Sequence, residues 1–457
     1  MKRCDSVYDT TVEDVVRRGL CMGCGFCTAS LKIENPDAGV SMGYDRQTDS
    51  FVPAVNRETP GAGRHDFICP GMTMDMVRLA EQVHGKIPDD PLLGTCRELR
   101  VCYAADEEVR HRAASGGVIP GVLKHLFETG RIDSAYCLHP GTDPYGAEGR
   151  IIQSAAELAG LHGSVYHPAN FGKHLYDLYT SPGKFAYVGL PCQVAGLEML
   201  KAKYPELARR HVLSLGLFCG GINTFSGIAY YLEGFRISWG DVERISYREG
   251  PWPGKIRVTS KSKGGDILIP RIRGNSRWKI LRYIIAFQGY WMLKRCRLCP
   301  DQVNDFADIA VGDPHLAKYR AQGGAGFSAT ISRTERGEEM LKEMLSLGKI
   351  AGETVDREDL ISSQGYTLDN RRHVTAYVRM AELLGESVPH ISVYPELQKT
   401  VGVRHYIYAA VDLMKIVLPK NRVIRACYVP WQIFEYVFIT FTPSLILRRL
   451  IKILRNK

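Results

Sequence analysis

Residues 19–27 read GLCMGCGFC, three cysteines at intervals of three with glycines between them. No other stretch restricts the fold so tightly, because thiols this close either share a metal centre or form a pocket of free sulfurs. Structural zinc takes paired C-x2-C knuckles joined by a short loop, whereas C-x2-C-x2-C wraps three corners of a [4Fe–4S] cubane in one turn. Cys21, Cys24 and Cys27 follow the second pattern. Gly23 and Gly25 let the backbone turn tightly and aim its N–H groups at the sulfurs of an anionic cluster. In bacterial ferredoxin runs the fourth cysteine precedes a proline, and FICPG offers Cys69-Pro70 as the candidate. A zinc site and unligated thiols are the rival readings.

Thirteen cysteines in 457 residues favour metal or redox use, provided the chain stays in a reducing compartment. Met1-Lys2-Arg3-Cys4 leads into polar residues rather than an apolar stretch, so no secretory signal and a cytoplasmic location are expected. With 45% hydrophobic and 24% charged residues, the composition is ordinary for a globular enzyme, and disorder is not the default reading. The net charge of +10 is uneven: from residue 401 onwards ten Lys and Arg face only Asp412 and Glu435, so the tail carries +8 of it. The body is close to neutral, and nothing in it calls for a nucleic-acid partner.

The expected fold is mixed α/β. Residues 1–90 are loop-rich, with little periodicity, and are read as a small ferredoxin-like iron–sulfur segment held together by something other than a large apolar core. From residue 91 the pattern changes. SGGVIPGVLKHLFETGRID places Val118, Val122, Leu126 and Phe127 on one helical face, and SAYCL reads as a strand. The strand–turn–helix pattern recurs at KFAYVGLPCQVAGLEMLKAKY and HVLSLGLFCGGINTFSGIAYYLEGF, each with a cysteine just past the strand end, where open α/β sheets bind ligands. VERISYRE, GKIRVTS and GDILIP predict an antiparallel meander, ADIAVGDPH and FSATIS two buried strands, and the chain after residue 350 a helical region. The divisions expected are 1–90, 91–180, 181–350 and 351–457.

Four further cysteines draw attention by position. Cys192 in GLPCQ and Cys219 in LFCGG lie at strand ends beside proline or glycine, and Cys296 and Cys299 form C-x2-C before Pro300. Taken singly, a buried cysteine is more often a small core residue. Cys4, Cys96, Cys102, Cys137 and Cys427 have no such context and are read as ordinary thiols.

Taken together, CMGCGFC, CPG, ASGGVIPGVLKHLFETGRID, FAYVGLPCQVAGL, LFCGG and CRLCPDQVNDFADIAVGDP, in that order from residue 21 to about 330, resemble the coenzyme F420 hydrogenase/dehydrogenase beta-subunit family. That family includes beta subunits of F420-reducing hydrogenase and F420-linked dehydrogenases, and 7-hydroxymethyl chlorophyll a reductase. The resemblance implies one cluster at Cys21, Cys24, Cys27 and Cys69 and a second [4Fe–4S] cluster at Cys192, Cys219, Cys296 and Cys299. It also implies an FAD against Ser115, Gly116 and Gly117, the Pro191 and Gln193 turn, and Gly312 and Asp313. A Ser-Gly-Gly turn opening a helix suits a pyrophosphate, although alone it equally suits a helix start capped by Ser115. One departure stands out. Val165 in HGSVYHP occupies the place of a family lysine, which removes a cationic contact to flavin or acidic substrate and weakens the case for F420.

The implied activity is an FAD- and iron–sulfur-dependent oxidoreductase linking a ferredoxin-like donor or F420 to an organic acceptor. The alternatives are an electron-transfer subunit of a larger complex, with partner redox subunits, and a metal-stapled accessory protein of envelope polysaccharide synthesis. His139, His162, His167 and His315 are the histidines placed to donate a proton, and none is assigned a catalytic role. ACYVPWQIFEYVFITFTPSLIL, residues 426–447, is long enough to cross a bilayer. Glu435, Pro430 and Pro443 argue instead for an interfacial segment, with Trp431 and nearby aromatics at headgroup depth and Arg448, Arg449, Lys452, Arg455 and Lys457 over anionic lipid on the inner membrane face. Packing of this tail on protein is the competing reading.

Overall fold

The computed structural model describes residues 10–56, 67–161, 163–270, 282–283, 285–287 and 290–417. Cys4, His162, Cys427 and the apolar stretch 426–447 lie outside the described residues.

Along the chain the strands are β1 (Val40–Asp45), β2 (Ser50–Val55), β3 (Thr73–Asp75), β4 (Glu98–Ala104), β5 (Ser134–His139), β6 (Glu148–Ile152), β7 (Phe185–Gly189) and β8 (His211–Leu217). They continue with β9 (Val242–Glu249), β10 (Lys255–Ser260), β11 (Gly265–Ile269), β12 (Ile309–Gly312), β13 (Ser328–Ser332), β14 (Ile350–Thr354) and β15 (His390–Ser392). Eight of them form one mixed sheet in the order β14-β4-β13-β12-β8-β7-β5-β6, drawing strands from both sides of residue 180. The inner four, β12, β8, β7 and β5, run parallel, and β4, β6, β13 and β14 join antiparallel. The expected meander is present as β11-β10-β9. ADIAVGDPH and FSATIS supply β12 and β13, with Ile309, Ala310, Val311 and the whole of β13 buried.

Successive residues of the central strands serve different cores, as the period of two requires. Tyr136, Phe185, Tyr187, Ala310 and Ala329 pack on one face, against the helix Pro191–Lys203. Ala135, Cys137, Ala186, Val188, Leu213 and Leu215 pack on the other, against the helix Val118–Glu128, whose Val118, Val122 and Leu126 point inward as the sequence spacing demands. Each such aliphatic side chain, fully buried, contributes roughly 1.5–3 kcal/mol.

Two expectations change. The N-terminal segment is not held apart from the body: Phe26, Ala29, Met74, Met76 and Leu79 belong to the same core as the sheet and as Leu368, Tyr394 and Leu397 of the C-terminal region. A smaller satellite core, with Val12, Val15, Leu31, Val40 and Phe67, surrounds the first cysteines. The region after 350 is mostly helical, but β14 completes an edge of the main sheet and β15 pairs in parallel with β3, 317 residues away by the Ser392–Asp75 side-chain hydrogen bond. Short polar runs such as these carry little periodic signal, so only their tertiary partners make them strands.

Candidate functional site

The carboxyl ends of β7, β8 and β12 lie side by side, and the antiparallel β13 begins at the same edge, since Gly312 pairs with Ala329. Cys192, Cys219 and Asp313 therefore emerge together. Cys192 is the second residue of its helix, which starts on Pro191 and is capped by Gln193, whose Oε1 accepts the Leu190 N–H at 2.8 Å. Cys219 sits two residues beyond β8, and the following helix begins only at Phe225. The loop after it is stitched to the C-x2-C segment by Leu293 N–H to Ile222 O (2.9 Å) and Cys219 N–H to Gln302 O (2.9 Å).

These contacts bring the four scattered thiols into one buried neighbourhood. Burial pushes the Cys192 thiol well up, and the charges of Cys24, Cys299, Cys219 and Cys296 add to it. Burial and then the charge of Cys296 raise Cys219, where the Gly221 N–H donates to the sulfur at 3.4 Å. Burial pushes Cys299 up to about 12, and the Cys299 thiol donates to the Asp301 carbonyl at 3.0 Å.

The first set behaves alike. Cys21, Cys24, Cys27 and Cys69 converge on one apolar pocket with Val12, Val15 and Phe67. Burial lifts Cys21 to about 12 against the Gly23 N–H, which donates to its sulfur at 3.4 Å; burial and the charge of Cys69 lift Cys24 and Cys27. Gly23 and Gly25 hold φ of 70° and 77°. A Cβ on Gly25 would lie 2.2 Å from the Gly172 Cα, so the turn needs glycine both for conformation and for contact. Phe26 then seats its ring over Gly196, where a Cβ would come within 2.4 Å of it, docking the first set on the helix that carries Cys192.

All eight cysteines are free thiols. Among the described residues no group of three or more His, Cys, Asp or Glu is set to hold a single metal ion. Four soft donors around a cavity suit a thiolate-ligated cubane, in which iron rather than water compensates the buried sulfur charge. By donor chemistry each set of four thiols suits such a cluster, and the first also lines a common pocket.

The expected flavin surroundings also meet at this edge. Gly116 accepts the Ala104 N–H from the end of β4 at 2.7 Å, and its own N–H donates to Ser328 Oγ at 2.9 Å. Ser115 is not the helix cap: its hydroxyl donates to the Phe327 carbonyl, while Gly117 at φ 78° is the N-cap and no side chain caps the helix. The bare helix start is the geometry that receives phosphate. Asp313 is already engaged. Arg248 from β9 donates to both of its oxygens at 2.8 and 3.2 Å, and Trp252 Nε1 donates at 3.3 Å. Burial opposes ionisation, but the Arg248 charge holds the Asp313 carboxyl down at about 2. Arg248 also donates to the Tyr166 hydroxyl at 3.2 Å, next to Val165, and among the described residues its buried Nε has no partner. An arginine of β9, paired with Asp313, thus stands near the loop position that lacks the lysine. An uncapped helix start beside this cation fits the pyrophosphate of a flavin dinucleotide.

Of the histidines, His167 is neutral and structural: it shares a 2.7 Å hydrogen bond with the Tyr247 hydroxyl, and burial lowers it to about 3. His139 accepts the Gly141 N–H at 3.0 Å within a turn. His315 follows β12 and its charge bears on Asp313.

Sequence reasoning missed the support behind the C-x2-C segment. Asp301 accepts the N–H groups of Val303, Asn304 and Asp305 at 2.8–3.1 Å. Arg371 donates to Asp305 at 2.5 and 3.0 Å and to Asp301 at 3.3 Å, and Tyr394 donates to Asp305 at 2.9 Å. Asn304, at φ 62°, donates through Nδ2 to Gly189 O and Leu217 O, tying the segment to the ends of β7 and β8. The signal available was the acidic run DQVND after Cys299, whose charges a loop would otherwise leave in water.

The family described as the beta subunit of coenzyme F420 hydrogenase/dehydrogenase matches in two parts, its amino-terminal part over residues 100–175 and its carboxyl-terminal part over residues 183–358. A coenzyme F420-dependent sulfite reductase of Methanocaldococcus jannaschii is 24% identical over 354 residues, 75% of this chain; the chain spans only 50% of that protein's length. The beta subunit of the coenzyme F420 hydrogenase of Methanothermobacter thermautotrophicus is 21% identical over 56% of this chain and 84% of its own. A subunit of the F(420)H(2) dehydrogenase of Methanosarcina mazei is 22% identical over 72% of this chain and 83% of its own. Among solved structures, a chain of the F420-reducing [NiFe] hydrogenase complex from Methanosarcina barkeri shares the fold with a TM-score of 0.52, at 18% identity, over 68% of this chain and 99% of its own.

Proposed function

Because this chain belongs to the coenzyme F420 hydrogenase/dehydrogenase beta-subunit family, we propose that it is an FAD- and iron–sulfur-dependent oxidoreductase working between a ferredoxin-like donor or F420 and an organic acceptor. The observation that carries the reading is the gathering of eight thiols into two adjoining buried sets, with Cys24 of one acting electrostatically on Cys192 of the other. Two cubanes would pass electrons singly, and FAD would collect them in pairs for hydride exchange.

The chain's own part is geometry and charge. Cys21, Cys24, Cys27 and Cys69 hold the first cluster, and Cys192, Cys219, Cys296 and Cys299 the second. The uncapped turn at Ser115, Gly116 and Gly117 would receive the pyrophosphate, with Pro191, Gln193 and Gly312 at the same sheet edge. Asp313 acts by holding Arg248 in place. Apolar neighbours such as Val12, Val15 and Phe67 keep water from the first cluster. The test is anaerobic iron, sulfide and flavin analysis of the purified protein. About eight irons and one FAD per chain are expected from two cubanes; stoichiometric zinc in a colourless protein would overturn the reading.

A second reading, an electron-transfer component within a larger complex, is favoured by the relatives that are themselves named as subunits. Turnover with a small donor and acceptor alone would reject it, and dependence on a partner protein would support it. The basic tail is assigned to an anionic membrane surface. A chain ending at Lys420 is then expected to keep cofactors and lose binding to anionic vesicles.

A further inference from the structure

Five arginines of the described chain are buried, and four of them face a carboxylate: Arg248 meets Asp313, Arg297 meets Asp412, Arg371 meets Asp301 and Asp305, and Arg333 meets Asp305. Arg295 differs. Its side chain is 0% exposed, and its hydrogen bonds all end on backbone carbonyls: Nε to Gly71 at 2.6 Å, and the two terminal nitrogens to Leu298 at 2.7 Å and Pro70 at 3.1 Å. A guanidinium does not shed its proton in a protein. A buried cation without a counter-charge costs several kcal/mol, so a site that keeps one implies an anion nearby.

The position of Arg295 says which anion. It precedes Cys296 directly, Leu298 precedes Cys299, and Pro70 and Gly71 follow Cys69. The guanidinium therefore lies between the two cysteine sets and is fastened to the backbone of each. A cubane with four thiolate ligands is negatively charged, and each electron it accepts makes it more so.

We infer that Arg295 is the shared counter-charge of both cysteine sites, a positioning residue that locks the Cys69 turn to the C-x2-C segment and makes both clusters easier to reduce. This rests on the cluster reading above. A cation placed between two acceptors favours the reduced form of each, so electrons pass between them without a large change in driving force.

The test is a potentiometric titration of the full chain followed by EPR. In Arg295→Gln both midpoint potentials are expected to fall, while Arg295→Lys at neutral pH keeps them near the wild-type values. If the glutamine variant does not retain its iron, the lysine variant decides alone. A buried ammonium can lose its proton at alkaline pH where a guanidinium cannot, so both potentials of Arg295→Lys should fall with rising pH while those of the wild type hold steady. Potentials that stay put in both variants, or a shift confined to one cluster, would overturn the inference. Wild-type protein without iron would overturn the cluster reading with it, whereas a full complement of iron and unmoved potentials would overturn only the role of Arg295.

Discussion

Replacing Arg371 with methionine is expected to destabilise the chain by about 3–5 kcal/mol, the range for breaking a buried ion pair on one side. Arg371, Asp301 and Asp305 are all 0% exposed by side chain. Methionine fills much of the same volume, so the loss is electrostatic rather than a cavity. It leaves Asp305 with the Tyr394 hydroxyl at 2.9 Å and the more distant Arg333 at 3.8 Å, and it leaves Asp301 with three backbone donors and no cation closer than its neighbours provide. Burial, and then the charge of Asp305, already push the Asp301 carboxyl up to about 6 with Arg371 present. A carboxyl raised in the folded state withdraws stability as pH climbs from its unfolded value through its folded one, so the deficit of the variant should be smallest in acid. Anaerobic urea denaturation, comparing midpoints across pH, measures it. Adding Asp305→Asn should return part of the loss, since one of the stranded charges is then gone, and the double-mutant cycle should show coupling of more than about 1 kcal/mol. The exposed pair Arg372–Asp369, at 3.0 Å, is the internal comparison. If Arg371→Met costs no more than breaking that surface pair, under about 1 kcal/mol, the argument that two buried carboxylates depend on one guanidinium is wrong.

Gly25→Ala and Gly85→Ala share a positive φ, 77° and 74°, but only Gly25 has backbone within 2.2 Å of the new Cβ. Gly85→Ala should therefore lose about 1–2 kcal/mol from conformation alone, while Gly25→Ala should lose more and release iron from the first cysteine set; equal losses by thermal denaturation would refute the close-contact argument. Asp313 is held at about 2 by Arg248. That depression contributes about 2 kcal/mol, fully present above the unfolded value near 4 and lost as pH falls towards 2. The stability gap between wild type and Asp313→Asn should shrink over that window, and a gap independent of pH would contradict the assignment. Cys192→Ser should remove about four irons and spare the N-terminal cluster's spectrum; loss of both clusters together would mean that the two sets do not assemble separately.

What depends on near neighbours could be read from the order of residues alone. Cys21, Cys24 and Cys27 stand out by spacing alone, since three thiols at intervals of three are the pattern that wraps a cubane. Val118, Val122 and Leu126 declare a buried helical face, and the alternating runs between Val242 and Pro270 declare a meander, because side-chain direction repeats every 3.6 or every 2 residues. The strand-end positions of Cys192 and Cys219 were legible for the same reason. Which distant groups complete the site was settled by long-range packing. Ser115, which in isolation could equally have capped the helix, is tied to Phe327, 212 residues on. The cation near Val165 is Arg248 of β9, reached only through folding, and Arg295 reaches Pro70 across 225 residues. A buried arginine looks the same in a sequence whatever it faces. Its role is set by which carbonyls and charges the folded chain leaves within reach, and burial makes those few contacts decisive because water is not there to replace them.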